Sequence, residues 1–168
     1  MTQKEHLLGH IDALYRSALY LAKNESSADD LVQETYLKAF KFLQDDKEIR
    51  NVKAWLFRIL MNTFINKYRK DKREPSLVDF DSVEAFHESV LDNLMDDNIK
   101  GALEALPDDF QMVILLSIVE GFSYKEISKI INCPVGTVMS RIYRGRKMLK
   151  EKLASHAKKY GFGKETEK

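Results

Sequence analysis

Hydrophobic residues recur every three or four positions along most of this chain, and few stretches alternate with a period of two. Such spacing predicts amphipathic helices, and the sequence contains no Asn-Gly or Asp-Gly dipeptide of the kind that favours β-hairpins. Four segments resemble capping boxes, in which side chains satisfy the first free N–H groups of a helix; they begin at Thr2, Ser27, Asp108 and Ser123. The pattern predicts an all-α protein, with helices near residues 3–23, 28–44, 52–70, 93–105, 109–119, 124–131 and 135–155.

The predicted helices fall into two groups separated by an acidic stretch that begins near Pro75. Acidic composition with few long apolar residues is typical of a linker, and Gly161 and Gly163 indicate a frayed end. Helical bodies of about 70 residues bury limited apolar surface, so we expect them to dock onto each other or onto a partner. The expected organisation is a helical domain at 1–73, a linker at 74–97, a second helical domain at 98–160 and a tail at 161–168.

The segment 122–147 predicts a helix-turn-helix. A short helix ends at Asn132, and Pro134 is favoured in the first turn of the helix that follows. A basic, outward-facing second helix of this motif would enter a major groove of DNA; a helical hairpin with a merely solvated basic face is the alternative. On that helix one apolar stripe holds Val135, Val138, Ile142, Leu149 and Leu153, and the opposite face holds Ser140, Tyr143, Arg144 and Lys147.

Two further helices have informative polar faces. On the helix at 52–70, Arg58, Asn62, Asn66 and Arg69 follow one another at near one-turn steps, and Trp55 stands at its start. Amides and guanidinium groups can read base edges, and aromatic rings can stack on unpaired bases. On the helix at 28–44, an exposed leucine surrounded by acids and amides suggests an anchor for a partner protein. That second face is formed by Asp30, Gln33, Glu34 and Leu37.

Charge is distributed in blocks although the whole chain has a formal net charge of +1. Residues 1–47 sum to −2, 48–74 to +5, 75–110 to −9 and 111–168 to +7. Two basic blocks separated by an acidic one are candidate contact regions for a polyanion, or else solvated helix faces.

Four motifs resemble the extracytoplasmic-function sigma factors of bacterial RNA polymerase, and they occur in the order that the family has. They are Asp30-Leu-Val-Gln-Glu-Thr-Tyr36, Ala54-Trp-Leu-Phe-Arg-Ile59 with Asn62, Glu120-Gly-Phe-Ser-Tyr-Lys-Glu-Ile127 and Pro134-Val-Gly-Thr-Val-Met-Ser-Arg141. The resemblance covers about residues 5–155. It implies two helical domains, corresponding to the second and fourth domains of larger sigma factors.

The resemblance also implies partners and roles. The face at Asp30, Gln33, Glu34 and Leu37 would bind the clamp of the polymerase's largest subunit, and the flap is a further contact on core polymerase. The residues implied to open the promoter −10 element, together with the loop at 45–52, are Trp55, Arg58, Asn62, Asn66 and Arg69. Those implied to read the duplex −35 element are Thr137, Ser140, Arg141, Tyr143, Arg144 and Lys147. Members are usually inhibited by an anti-sigma factor, so we expect one here.

This chain departs from the family pattern at two positions. Asn66 stands where many members have aspartate, and Met139 stands where many have a basic residue before Ser140 and Arg141. Contacts at these two positions are therefore open.

Two other functions compete with this interpretation. An autonomous helix-turn-helix regulator would explain the basic helix but not the other two faces, and no dimerisation heptad is evident. An enzyme is the third possibility, because His6 and His10 are spaced one turn apart as metal ligands can be. The glutamate that a zinc-protease motif requires after the first histidine is missing, and no third ligand, phosphate-binding glycine loop or nucleophile elbow occurs. We expect no metal, no cofactor and no catalytic activity.

Composition narrows the class of protein further. With 44% apolar residues, the 168-residue chain fits a folded globular protein. Its longest apolar runs are far shorter than the roughly 20 residues of a membrane-spanning helix, so no membrane insertion is expected. The first residues lack a secretion signal and the single cysteine, Cys133, cannot form an internal disulfide. These features favour a cytoplasmic location.

Overall fold

A computed structural model describes residues 2–44, 47–73 and 97–159. Regular structure in these ranges is helical, without strands, and the expected all-α fold is confirmed. Residues 74–96 of the predicted linker, residue 160 of the predicted second domain and the predicted tail at 161–168 lie outside the described residues. The helices are α1 (Gln3–Leu8), α2 (Ile11–Ala22), α3 (Glu25–Leu43), α4 (Val52–Arg73), α5 (Asp97–Glu104), α6 (Asp108–Ile114), α7 (Tyr124–Ile131) and α8 (Val135–Lys159), with a π-helical segment at Leu115–Val119.

The predicted helix at 3–23 is wrong, because the structure divides it at Gly9 and His10. Gly9 donates its N–H to the carbonyl oxygen of Glu5 at 3.1 Å, and His10 donates to that of Leu7 at 3.2 Å. His10 then leaves the helical region with φ −104° and ψ 5°. Glycine is a poor residue for a helix interior, at a cost of about 1 kcal/mol. The break lets α1 pack on α4 while α2 packs chiefly on α3.

Two of the four expected helix caps are confirmed. Thr2 and Glu5 form a complete capping box, in which each side chain accepts a hydrogen bond from the other residue's N–H. Ser123 Oγ accepts from the N–H of Glu126 at 3.2 Å, and α7 has the predicted bounds.

The caps expected at Ser27 and Asp108 are wrong. Asn24, itself a strong capping residue, accepts from the N–H of Ser27 at 2.8 Å, so α3 begins three residues earlier than predicted. Asp108 is already inside α6, and Gln111 is fully buried instead of capping the helix.

Two groups of helices share one hydrophobic core. Helices α1 to α4 form the first group and α5 to α8 the second, and α7 packs directly against α4. The rings of Phe57 and Phe122 meet edge to face with their centroids 5.3 Å apart. Gln111 Nε2 donates to the carbonyl oxygen of Tyr20 at 3.4 Å, which joins α6 to α2. The two groups therefore dock on each other, one of the two outcomes expected for bodies of this size.

A sharp turn after the π-helical segment positions the joint between the groups. The N–H of Glu120 donates to the carbonyl oxygen of Leu115 at 3.0 Å, and that of Phe122 donates to Leu116 at 2.9 Å. Gly121 between them has φ +73°, a conformation that side chains with a Cβ rarely adopt. The turn directs both the Glu120 carboxylate and the Phe122 ring toward the first helical group.

Candidate nucleic-acid interface

The turn between α7 and α8 is tight and internally bonded. Asn132 ends α7 in the left-handed region, and the N–H of Cys133 donates to the carbonyl oxygen of Ser128 at 3.1 Å. Ser128 Oγ donates in return to the carbonyl oxygen of Cys133 at 2.6 Å. Pro134 accepts the first hydrogen bonds of α8, from Thr137 and Val138. Burial raises the pKa of the Cys133 thiol, which disfavours a reactive thiolate.

The buried side of α8 differs from the predicted stripe at its first residue. Val138 and Ile142 are buried and Leu149 and Leu153 are half-buried, but Val135 is 37% exposed. The prediction for Val135 is wrong because it lies at the free first turn of the helix. Gly145 takes the close contact instead: a Cβ there would lie 3.0 Å from Ile114 Cγ1. The close approach of α6 and α8 therefore depends on a glycine.

The opposite side of α8 is open to solvent along its first four turns. Ser140, Arg144 and Lys147 are exposed, and Tyr143 is 71% exposed. Ser140 Oγ donates to the carbonyl oxygen of Thr137 at 3.1 Å, so this hydroxyl is already oriented. Thr137 and Arg141 are half-buried at the edge of this surface, and Met139 is 52% exposed within it.

On α4, Arg58, Asn62 and Asn66 lie exposed on successive turns. The side chain of Arg69 lies outside the described side chains, although its backbone belongs to α4. Trp55 is half-buried, with its ring 5.2 Å from that of Phe42 on α3.

A cavity opens beside these residues between α3 and α4. Its volume is about 270 Å³, and its lining combines two aromatic rings with polar groups. In its lining, Lys38 Nζ donates to Thr63 Oγ1 at 3.0 Å. We call it the aromatic cavity; it is lined by Lys38, Phe42, Trp55, Ile59, Asn62 and Thr63.

A second, larger cavity lies at the start of α4. It has a volume of about 760 Å³ and is lined by α1, His10 and the segment 47–53. Lys47, Arg50 and Lys53 line it together with one acid, Glu48. We call it the basic cavity.

The exposed face of α3 matches its prediction. Asp30, Gln33 and Glu34 are exposed, and Leu37 among them is 63% exposed. Glu34 pairs with Lys38 one turn along the helix at 3.3 Å. On this face, one large apolar side chain is surrounded by polar side chains.

Neither a metal site nor a membrane span is found in the part of the chain that the structure describes. No group of three or more histidine, cysteine or acidic residues is arranged to hold an ion there. None of the helices in the described ranges is both long and apolar enough to cross a bilayer.

Family models match both helical groups. The model "Sigma-70 region 2" matches residues 8–74 and "Sigma-70, region 4" matches residues 96–149. The ECF RNA polymerase sigma factor EcfG of Rhodopseudomonas palustris is 34% identical over 148 residues, covering 87% of this chain and 82% of EcfG. The chain belongs to the ECF family of RNA polymerase sigma factors. The sigma factor SigE of Mycolicibacterium smegmatis is 35% identical over 159 residues, and the match covers 88% of this chain but only 60% of SigE.

Two solved structures share the fold. RpoE from Bartonella quintana, crystallised with the anti-sigma factor NepR, aligns with a TM-score of 0.75 and 38% identity, over 89% of this chain and 95% of RpoE. CnrH, solved in complex with the cytosolic domain of CnrY, aligns with a TM-score of 0.64 and 27% identity, over 90% of this chain and 87% of CnrH.

Sequence reasoning about this sigma factor missed the polar joint between the helical groups. The Glu120 carboxylate is 1% exposed; Oε1 accepts from Arg16 at 2.9 Å, and Lys53 Nζ lies 3.1 Å from Oε2. Lys53 also donates to the backbone carbonyl oxygen of Glu120 at 3.2 Å, and Ser17 Oγ donates to Oε1 at 3.3 Å. No local pattern identifies such a contact, since Arg16 lies 104 positions from Glu120.

Proposed function

We propose that this sigma factor binds core RNA polymerase and directs transcription initiation at specific promoters, with residues 1–73 and 98–160 as its two functional units joined by the linker at 74–97. The observation that carries the proposal is that one chain exposes three different surfaces on three helices: the α3 face around Leu37, the α4 face around Asn62 and the α8 face around Arg144. An autonomous duplex-binding regulator needs only the last of them.

The α8 surface is suited to the −35 element in duplex form. A major groove admits one α-helix, and a guanidinium such as that of Arg144 can donate two hydrogen bonds to a guanine. Tyr143 beside it offers an exposed ring and hydroxyl, and Ser140 lies one turn earlier. Lys147, one turn further, is placed to contact phosphate, which positions a protein without reading sequence. Thr137 and Arg141 border this contact.

The α4 surface is suited to a melted −10 element. Phe42 and Trp55 give the aromatic cavity two rings on which an unpaired base can stack, worth about 1–3 kcal/mol per base. Asn62 lines the same cavity and carries both a donor and an acceptor for a base edge. Arg58 and Asn66 extend the surface along α4. The proposal also includes Arg69, on the spacing of the sequence alone.

The α3 face is suited to core polymerase, with the clamp of the largest subunit as the partner. A protruding apolar side chain ringed by polar groups is typical of an interface anchor. Leu37 provides the anchor, and Asp30, Gln33 and Glu34 provide the rim.

The proposal includes an anti-sigma factor as a regulatory partner. The structural relative RpoE was solved in complex with the anti-sigma factor NepR. A second relative, CnrH, was solved in complex with the cytosolic domain of CnrY. The likeness to both extends over about nine-tenths of this chain.

Run-off transcription with purified bacterial core polymerase tests the function directly. A pool of genomic promoter fragments is transcribed with and without the chain, and starts are mapped. Discrete starts that share upstream motifs and need the chain are the expected result. Absence of both starts and core binding would overturn the proposal in favour of an autonomous regulator.

A further inference from the structure

The basic cavity brings together a histidine pair that none of the proposed surfaces uses. His6 lies on α1, and His10 lies at the break before α2. Both line the cavity together with the segment 47–53. Gln3 Nε2 donates to the carbonyl oxygen of Lys47 at 3.4 Å, which connects α1 to that segment. In the described residues no third metal ligand accompanies the pair.

The charges around this cavity favour an anion. Lys47, Arg50 and Lys53 line it, and among its described lining residues Glu48 is the acid. Lys53 also pairs with the Glu120 carboxylate at 3.1 Å, so Lys47 and Arg50 are the cations of this cavity outside the joint. Burial, the Lys53 ammonium and His6 lower the pKa of His10. An imidazole held neutral by nearby cations gains a proton more easily when an anion enters between them.

The basic and aromatic cavities adjoin at Lys47 and Phe42. Lys47 lines the basic cavity, and its Nζ lies 4.8 Å from the centroid of the Phe42 ring. Phe42 in turn lines the aromatic cavity and packs on Trp55. Proteins that bind single strands combine aromatic surfaces for bases with a positive groove for the backbone, and these two cavities form such a pair.

We propose that His6 and His10 form the outer wall of a phosphate-binding site that holds the backbone of single-stranded DNA beside the aromatic cavity. The inference rests on the proposed function, which places melted promoter DNA on α4. A concave site about 760 Å³ in volume suits a flexible strand, whereas a duplex presents a wide, stiff surface. Since phosphate stabilises the protonated form of His10, whose pKa is lowered in the free chain, strand binding takes up a proton there and strengthens as the pH falls.

The test measures binding of the full chain to a fluorescein-labelled single-stranded 20-nucleotide DNA of mixed sequence, by anisotropy at low salt and at pH 5.5 and 7.5. The unmodified chain should bind about three- to tenfold more tightly at pH 5.5, since one pKa unit of coupling corresponds to tenfold. The variant His6→Gln/His10→Gln should lose most of this gain. The matched control His156→Gln changes a histidine of α8 and should keep it.

Two further variants separate charge from folding. His6→Arg/His10→Arg restores positive charge without titration, so it should bind tightly at both pH values. His10→Asn supplies a residue that caps helices well, so α2 should still form while the contribution of His10 to the pH dependence is lost. Circular dichroism checks the helix content of each variant.

Retention of the full pH dependence by the double glutamine variant would overturn the inference. The inference would also be overturned if the double glutamine variant lost as much affinity for the same sequence as a duplex as it loses for the single strand. The site would then contact duplex DNA. Core polymerase binding is measured on the same variants and should be unchanged. If the unmodified chain does not bind core polymerase but does show histidine-dependent binding of the single strand, only the proposed function is contradicted.

Discussion

The hydroxyl of Tyr36 joins two helices through one buried hydrogen bond. It donates to the carbonyl oxygen of Leu7 at 2.8 Å, which fixes α3 against α1. Burial raises the pKa of Tyr36 to about 12, and the charge of Asp12 acts in the same direction. Because the pKa in the unfolded chain is about 10, this contribution to stability is complete below pH 10 and is lost as the pH rises toward 12.

Tyr36→Phe should therefore lower the free energy of unfolding by about 1 kcal/mol at pH 7, the typical net value of one hydrogen bond. The difference from the unmodified protein should shrink above pH 10, because the phenylalanine has no proton to lose. Urea unfolding at pH 7 and pH 11 measures both effects. Tyr143→Phe is the control, since the Tyr143 ring is 71% exposed and should change stability little at either pH. A constant difference across this pH range would contradict the assignment.

At the scale of the element, α3 separates a buried side that maintains the fold from an exposed side proposed for binding. Leu37→Asp should reduce affinity for core polymerase by at least tenfold, since hot-spot residues contribute 2 kcal/mol or more. The melting temperature should be nearly unchanged because Leu37 is 63% exposed. Pull-down and calorimetric binding to core polymerase measure the loss, with Glu25→Gln as an exposed control away from this face on the same helix. Undiminished binding of the Leu37 variant would rule out the anchor.

The two cations of α8 at Arg144 and Lys147 should behave differently although they lie one turn apart. Arg144→Ala should cost about 1–3 kcal/mol of binding and relax sequence preference at one −35 position. Lys147→Ala should weaken binding to all sequences alike and lower the salt slope of log affinity by about 1. Binding of holoenzyme to a panel of single-base promoter variants at several salt concentrations distinguishes the two. A sequence-selective loss for Lys147 would reverse its assignment.

At the scale of the whole molecule, the Glu120 carboxylate joins the two helical groups. Its partners Arg16 and Lys53 retain 24% and 32% of their side-chain exposure, so the loss of Glu120 leaves them partly hydrated. Glu120→Gln should lower the free energy of unfolding by about 1–3 kcal/mol, the range for hydrogen bonds to charged groups. Urea unfolding measures this, and the exposed Glu151→Gln should stay within about 0.5 kcal/mol. Equal effects for both glutamates would show that the joint contributes no stability.

The sequence by itself determined that the chain is helical, where α7 begins and ends, and which faces of α3, α4 and α8 are exposed. Ser123 and Asn132 bound α7 at the predicted residues, and Leu37, Asn62 and Tyr143 lie on the surface as their helical spacing predicted. Helix bounds depend on capping residues within three positions, and exposed faces depend on hydrophobic periodicity within one or two turns. The local sequence pattern is therefore sufficient to predict both.

Only the tertiary structure decided where distant segments meet. The break at Gly9 lets α1 and α2 pack on different helices, Gly145 takes the closest contact with α6, and Glu120 finds its cations in the other helical group. The basic cavity likewise joins His6 to residues more than 40 positions away. Such contacts depend on packing of a shared core and on charge pairing between elements remote in sequence, which a periodic pattern within one helix does not encode.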